Sequence, residues 1–163
     1  MVNRLLSEDI NALTQDGDRE VGSAGHTNAR NYLVDRLSSL GLEPYASSAY
    51  ELPYSADGLD FTNIVALIPG TDRDLPPLLL GAHYDTCGSL PGADDNAAAV
   101  AILLGAAESL QRGNRERSVV ISFFDAEEPP YFLQSSMGSI RFYKDQMTGP
   151  VHTAVIMDLV GHD

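Results

Sequence analysis

The sequence has 163 residues, of which 44% are hydrophobic and 20% charged, and this composition is typical of one folded domain rather than a disordered chain. Ten Lys and Arg against 23 Asp and Glu give a net charge of −13, which argues against a nucleic-acid partner, because such proteins normally carry a basic patch. The longest apolar stretch, around residues 97–107, is too short to span a membrane.

Cysteine content and the N-terminal residues bear on the compartment of the protein. A single cysteine, Cys87, excludes an internal disulfide and a CxxC zinc site. Charged residues interrupt the first 12 positions, where a signal peptide would be apolar. We therefore expect a cytoplasmic protein, with a secreted or periplasmic protein as the alternative if a signal peptide has been removed.

Two amphipathic helices are predicted in the first quarter of the chain. Apolar residues in the segment 6–13 recur every three or four positions and predict a short helix that ends at Gly17. The same spacing over 26–40 predicts a longer helix, which Gly41 ends because glycine is favoured just past a helix C-terminus. Residues 42–53 are expected to form an irregular, exposed strand.

Four short apolar runs follow, over residues 63–68, 78–82, 118–124 and 153–160. They are continuous rather than alternating, which is typical of strands covered on both faces. An Ala-rich helix is predicted over 96–112, between the second and third runs, and another over 137–146, between the third and fourth. The pattern predicts an α/β fold with three layers, in which a mostly parallel or mixed central sheet carries helices on both faces.

Acidic residues and a histidine stand where three of these strands end and where the Ala-rich helix begins. They are, in chain order, His83 and Asp85, then Asp94 and Asp95, then Asp125, Glu127 and Glu128, and finally Asp158. In α/β sheets, ligands bind outside the carboxyl ends of the strands. We therefore expect these side chains to converge on one site.

Several carboxylates at one point repel each other unless cations neutralise them. A histidine with carboxylates suits zinc or a similar divalent ion, and a pair of ions can activate water and polarise a carbonyl group. Asp85, two residues after His83, can accept the second ring N–H of that histidine. Of the adjacent Glu127 and Glu128, whose side chains diverge, one can bind metal while the other acts as a general base.

Each of these residues has a simpler explanation when it is taken alone. Asp94 and Asp95 are ordinary residues for a helix N-terminus, the Glu127-Glu128 pair fits an exposed loop, and a lone histidine is usually hydrogen-bonded. The carboxylate of Asp158 beside apolar residues is harder to explain, because burying an unpaired charge is unfavourable. Their occurrence together favours the metal site.

Four blocks of the sequence resemble the co-catalytic zinc aminopeptidases, whose relatives include glutaminyl cyclases and some carboxypeptidases. The blocks occur in family order: GAHYDT (81–86), GADDN (92–96), AEE (126–128) and MD (157–158). Met137-Gly138-Ser139 also resembles a Gly-Ser segment of that family, and the resemblance extends over residues 19–158. It implies a two-zinc exopeptidase that hydrolyses the N-terminal residue from a peptide substrate.

The resemblance implies four zinc ligands, of which the second bridges two ions: His83, Asp95, Glu128 and Asp158. Asp94 is disfavoured as the bridge, because the family uses the second acid of that block. Glu127 resembles the general base that takes the proton of the attacking water, and Asp85 resembles the partner that orients the first ligand.

The family has one further His ligand in a longer domain, whereas this chain ends at Asp163. His162 is not expected to replace that ligand, and His26 and His152 match no ligand motif. Residues 1–163 are therefore interpreted as a single, truncated zinc peptidase domain with one incomplete metal site and weak or no activity. Two other functions stay open: a one-zinc acyltransferase similar to glutaminyl cyclases, and a non-catalytic binding module on the same fold.

Overall fold

The computed structural model describes residues 2–46 and 48–161, with side chains from residue 6 onward. Four helices and six strands are present in these ranges. In chain order they are α1 (Val2–Thr14), α2 (Ala24–Ser39), β1 (Glu43–Pro44), β2 (Glu51–Ala56), β3 (Leu59–Ile68), β4 (Leu78–His83), α3 (Ala99–Gln111), β5 (Val119–Phe124), α4 (Gly138–Arg141) and β6 (Thr153–Ile156). A widened, kinked turn, Ala93–Ala98, leads into α3, and a second wide turn, Phe142–Gln146, follows α4.

The strands form one mixed sheet in the order β1–β3–β5–β4–β6, and β2 pairs with β3. β3 runs antiparallel to β5, whereas β4 runs parallel to both β5 and β6. The ends of the three parallel strands therefore lie at the same edge of the sheet, as the sequence predicts. Among the described residues, no helix combines the length and apolar character that crossing a membrane requires.

Alternate residues of the central strands face two apolar layers. On one face, Ile64 and Ile121 pack with buried residues of α2 and α3, such as Leu33 and Leu103. On the other face, strand residues that include Val65 and Val120 pack against Phe142 of the second wide turn. The predicted α/β fold, with a mixed sheet and helices on both faces, is confirmed.

Two predicted strands differ in the structure. The segment 42–53 forms two strands rather than one, because residues 51–56 pair with the first half of β3, Leu59–Ile64, in an antiparallel hairpin. The run 153–160 is a strand only over Thr153–Ile156, and every residue of that strand is exposed. The prediction that this run is covered on both faces was wrong, since β6 is the edge strand beside β4.

Candidate metal centre

The parallel strands bring the predicted ligands to one edge of the sheet. His83 is the last residue of β4, Glu128 lies in the loop after β5, and Asp158 follows β6 by two residues. Asp95 lies within the kinked turn before α3, where its backbone is extended (φ −109°, ψ 92°) rather than helical. This break in the helix lets the Asp95 carboxylate reach the histidine.

Three of these residues form a group that can hold a metal ion. One ligand atom each from His83, Asp95 and Glu128 lies within 4.8 Å of the others. The Nε2 atom of His83 is 3.1 Å from Asp95 Oδ1, 3.8 Å from Glu128 Oε1 and 3.6 Å from Asp158 Oδ1. One ring nitrogen therefore faces all three predicted carboxylate ligands.

A buried atom without a hydrogen-bond partner tests whether this donor set fits a cation. Asp95 Oδ1 is buried yet makes no hydrogen bond within the described part of the chain. An anionic oxygen in this state is unfavourable unless a positive charge compensates it. Nitrogen and carboxylate donors at this separation are those that zinc prefers, so the residues present fit a zinc ion.

The neighbouring carboxylates also determine the protonation state of His83. Burial alone lowers the pKa of His83, but the hydrogen bond and charge of Asp85, and then the charges of Asp95 and Asp158, outweigh burial and raise that pKa to about 9. In the metal-free protein the imidazole is therefore protonated at neutral pH. Its positive charge takes the place that a cation would occupy among the carboxylates.

Asp85 connects the two central strands of the site. Its backbone oxygen accepts a hydrogen bond from His83 Nδ1 (3.2 Å), and its carboxylate oxygen Oδ1 lies 3.4 Å from the same nitrogen. The sequence analysis predicts this contact. The carboxylate also accepts the backbone N–H groups of Glu127 (3.1 Å) and Glu128 (2.9 Å), a pair of bonds that the sequence does not predict. Asp85 thus fixes the histidine relative to the acidic loop.

Glu127 is half-buried beside the ligand group without belonging to it. Its Oε1 accepts the backbone N–H of Ser139 (2.6 Å), and its Oε2 accepts the hydroxyl of Ser139 (3.0 Å). Burial raises the pKa of Glu127 to about 7, although both hydrogen bonds from Ser139 act to lower it. A carboxyl group with a pKa near neutrality is suited to proton transfer.

Cys87 adjoins the site but has no sign of reactivity. Its thiol donates to Glu128 Oε2 (3.1 Å), and this hydrogen bond, with burial and the nearby carboxylates, raises the pKa of Cys87 to about 11. The thiolate is therefore scarce at neutral pH, which agrees with the absence of basic neighbours in its sequence context.

Arg19 secures the loop between two predicted ligands. The side chain is fully buried and donates to four backbone carbonyls: those of Leu13, Tyr84, Pro91 and Gly92. Its backbone N–H also binds Thr86 Oγ1 (2.7 Å). Because the loop 84–92 joins His83 to Asp95, Arg19 sets the positions of both ligands.

Other candidate residues lie away from the ligand group. Asp94 accepts the backbone N–H of Gly161 (2.9 Å), and His26 binds Asp125 Oδ1 (2.8 Å) while it stacks on Tyr84. His152 is exposed beside β6. His162, which the sequence analysis weighed as a substitute ligand, lies outside the described residues.

A cavity of about 350 Å³ opens beside the site. His83, Glu127, Glu128 and Asp158 line its polar side. Its other walls are largely apolar and come from β5, the loop after it and the end of β6: Phe124, Phe132, Met137, Ile156 and Met157. A ligand in this cavity would meet both the carboxylates and an apolar surface.

Known proteins resemble this chain in sequence and in fold. The model of peptidase family M28 matches residues 63–163. The uncharacterised protein YfbL of Escherichia coli is 34% identical over 113 residues, which are 64% of this chain and 34% of that protein. The chain therefore spans about a third of the length of this relative.

Two solved structures show the same fold. Glutaminyl cyclase of Porphyromonas gingivalis matches with a TM-score of 0.79 and 24% identity, over 97% of this chain and 61% of that chain. A Zn-dependent exopeptidase of Parabacteroides distasonis matches with a TM-score of 0.77 and 21% identity, over 98% of this chain and 62% of that chain. The chain thus spans about three fifths of either solved protein.

Proposed function

Since the chain belongs to peptidase family M28, we propose that it carries the metal centre of a zinc-dependent exopeptidase that removes the N-terminal residue of peptides. The observation that carries this proposal is the cluster of His83, Asp95 and Glu128 next to Glu127, a half-buried carboxylate outside the cluster. His83 and Glu128 line the same cavity as Glu127, so ligands and base are separate side chains at one site, an arrangement suited to metal-assisted hydrolysis.

Four side chains would hold two zinc ions. We assign His83 and Asp158 to one ion and Glu128 to the other, with Asp95 between them, because His83 Nε2 and a Glu128 oxygen both lie near Asp95. When bound, zinc supplies Lewis acidity, which polarises a carbonyl group and lowers the pKa of water. Asp85 keeps the first ligand oriented through its contacts with Nδ1.

Glu127 performs the proton transfer in this proposal. Its carboxylate faces the cavity, and burial raises its pKa to about 7 in the metal-free protein, which suits a group that both accepts and returns a proton. It accepts the proton of the water that attacks the scissile carbonyl carbon, and the same proton can then pass to the leaving amine. The apolar wall with Phe132 and Ile156 receives the side chain of the substrate.

A second candidate is an acyltransferase similar to glutaminyl cyclases, and the fold match to the Porphyromonas gingivalis enzyme favours it. In that reaction one zinc ion suffices, and Glu127 would carry a proton between two nitrogen atoms of the same substrate. The presence of Asp158 beside His83, in addition to Asp95 and Glu128, gives four ligands and supports the two-metal hydrolase over this alternative.

The substitution Glu127→Gln tests the proposal in the complete protein, since weak or no activity is expected of residues 1–163 alone. We expect turnover of peptides with a free N-terminus to fall by about 10²- to 10⁴-fold, because the amide cannot accept the proton. Zinc content after exhaustive dialysis should stay unchanged. Glu128→Gln should instead lower the zinc content, and Glu116→Gln, an exposed carboxyl at the amino end of β5, should change neither.

Three results would contradict the proposal. Wild-type turnover in Glu127→Gln would exclude this residue as the base. Cyclisation of N-terminal glutaminyl peptides without release of any residue would favour the acyltransferase. Zinc binding without either reaction would favour a binding module.

A further inference from the structure

Ser139 holds both oxygens of the Glu127 carboxylate. The backbone N–H donates to Oε1 (2.6 Å) and the hydroxyl donates to Oε2 (3.0 Å). The last torsion of a Glu side chain is broad and has no sharp preference of its own. Two donors from one residue therefore select one orientation of this carboxylate.

The segment that carries Ser139 is fixed against the chain just before Glu127. Gly138 donates its N–H to Asp125 O (2.9 Å), and Asn63 Nδ2 donates to Gly138 O (2.9 Å). Asn63 Oδ1 in turn accepts the N–H of Asp125 (3.0 Å). The amide of Asn63 thus joins the chain at 125 to the chain at 138.

Close approach at Gly138 makes this arrangement specific. A Cβ atom there would stand 2.2 Å from Asp125 O and 2.5 Å from Asn63 Oδ1, both far inside contact distance. Only glycine lets the two backbones meet. Because Glu127 comes two residues after Asp125, this backbone contact places Ser139 beside the Glu127 carboxylate.

The hydrogen bonds leave the carboxylate able to act as a base. Each carboxylate oxygen has two lone pairs, and Ser139 occupies one on each oxygen of Glu127. A lone pair on either oxygen stays available to a proton from the cavity that Glu127 lines. Ser139 therefore restricts the orientation of Glu127 without blocking it.

We propose that Ser139 is a positioning residue, which holds Glu127 in the orientation for proton abstraction through its hydroxyl and backbone N–H. This inference rests on the proposed function, because it needs Glu127 to be the base. It adds a residue outside the metal ligands whose loss should lower kcat and leave substrate and zinc binding intact.

Ser139→Ala removes the hydroxyl and keeps the backbone N–H. We expect kcat to fall by about 10- to 100-fold, the size of effect seen when a supporting hydrogen bond to a reacting group is lost. KM and zinc content should stay unchanged. Ser139→Thr keeps a hydroxyl at the same place and should restore most of kcat, which a merely structural role would not predict.

Ser122→Ala is the matched control. Ser122 is fully buried in β5, and its hydroxyl makes no hydrogen bond within the described residues. Its loss should leave kcat, KM and zinc content as in the wild type. A fall in kcat of this control equal to that of Ser139→Ala would overturn the proposal.

A measurement without turnover is the NMR spectrum of the ¹⁵N-labelled, metal-free chain. The short bond to a carboxylate should place the amide proton of Ser139 downfield, and Glu127→Gln should move it upfield while the Ser122 resonance stays in place. An unchanged Ser139 resonance would overturn the proposal.

The outcomes separate this inference from the proposed function. If Glu127→Gln abolishes turnover and Ser139→Ala keeps the wild-type kcat, only the positioning role of Ser139 fails. If Glu127→Gln keeps wild-type turnover, the proposed function itself fails. Loss of zinc or of folded protein in Ser139→Ala, not restored by Ser139→Thr, would assign the residue a structural role and overturn the proposal.

Discussion

The two walls of the metal centre differ in how firmly the chain holds them. The inner wall, formed by His83, Asp85 and Glu127, is the more buried one: the His83 and Asp85 side chains are 8% and 1% exposed, and Glu127 is half-buried. The outer wall, formed by Asp95 and Asp158, is open, with side chains 44% and 62% exposed. The two walls meet at the His83 imidazole, where Asp85 contacts Nδ1, whereas Asp95 and Asp158 lie near Nε2.

Hydrogen bonds account for this difference. Within the inner wall, Asp85 holds the loop after β5 and Ser139 holds Glu127. In the outer wall, the oxygen of Asp95 nearest His83 has no hydrogen-bond partner among the described residues. The folded chain therefore holds the proposed base, Glu127, and one ligand, His83, in place before a metal ion binds. The Asp95 oxygen nearest His83 keeps its lone pairs available to a cation.

The largest predicted effect follows from removing Arg19, which holds the loop that joins the inner wall at His83 to the outer wall at Asp95. Arg19→Met leaves four backbone carbonyls without their buried donor, so we expect the free energy of unfolding to fall by about 3–5 kcal/mol. Urea denaturation followed by circular dichroism measures this change. Arg112→Met, which removes an exposed arginine, should change the free energy of unfolding by less than about 0.5 kcal/mol. Equal losses in the two variants would show that the hydrogen bonds of Arg19 do not stabilise the fold.

A second prediction tests whether His83 is positively charged beside the carboxylates of Asp95 and Asp158. In metal-free protein the pKa of His83 is raised from 6.5 to about 9, so its charged form stabilises the fold fully below pH 6.5, and this stabilisation is lost as the pH rises through 9. The stability difference between wild type and His83→Gln should shrink by about 3 kcal/mol in total across this range.

Unfolding titrations in the presence of a chelator, at several pH values, measure that difference. The pKa of Glu127 is about 7, so its ionisation is largely complete in the upper part of the range and contributes little to the slope there. A difference that does not vary with pH would show that the carboxylates do not hold His83 in its charged form.

The smallest predicted effect compares the same residue type on a central strand and on the edge strand. Val120 in β5 is fully buried, whereas Val155 in β6 is 50% exposed. Val120→Ala should lower the free energy of unfolding by about 2 kcal/mol, and Val155→Ala by less than about 0.5 kcal/mol. Equal losses in thermal or urea unfolding would mean that β6 is packed in solution.

Hydrophobic runs and strand ends carry most of what the sequence predicts. Residues 63–68 and 78–82 lie in strands, as does the third run from residue 119 to 124, because continuous apolar runs require burial on both faces. The same logic explains the position of His83 and Glu128 at one edge of the sheet. Burial of β6 was predicted by the same rule and is wrong, since an apolar run does not reveal which strand lies at the edge.

The supporting contacts could not be predicted from the sequence. Arg19 binds carbonyl groups as far away as residue 92, and Ser139 binds a carboxylate 12 residues earlier. Neither contact produces a periodic pattern in the sequence, and the sequence does not show whether an arginine is buried or exposed. The one available clue was glycine at 138, beside a serine, and its meaning depends on which backbone it approaches.

Asn96 links the two residues of the outer wall, Asp95 and Asp158. It follows Asp95 directly, and its side-chain amide donates to the carbonyl of Met157, the residue before Asp158 (2.9 Å). A shift at the end of β6 is therefore transmitted to the kinked turn. An ion that immobilises Asp95 also restricts Asp158, so conformational entropy is lost once for the linked pair instead of separately for each ligand.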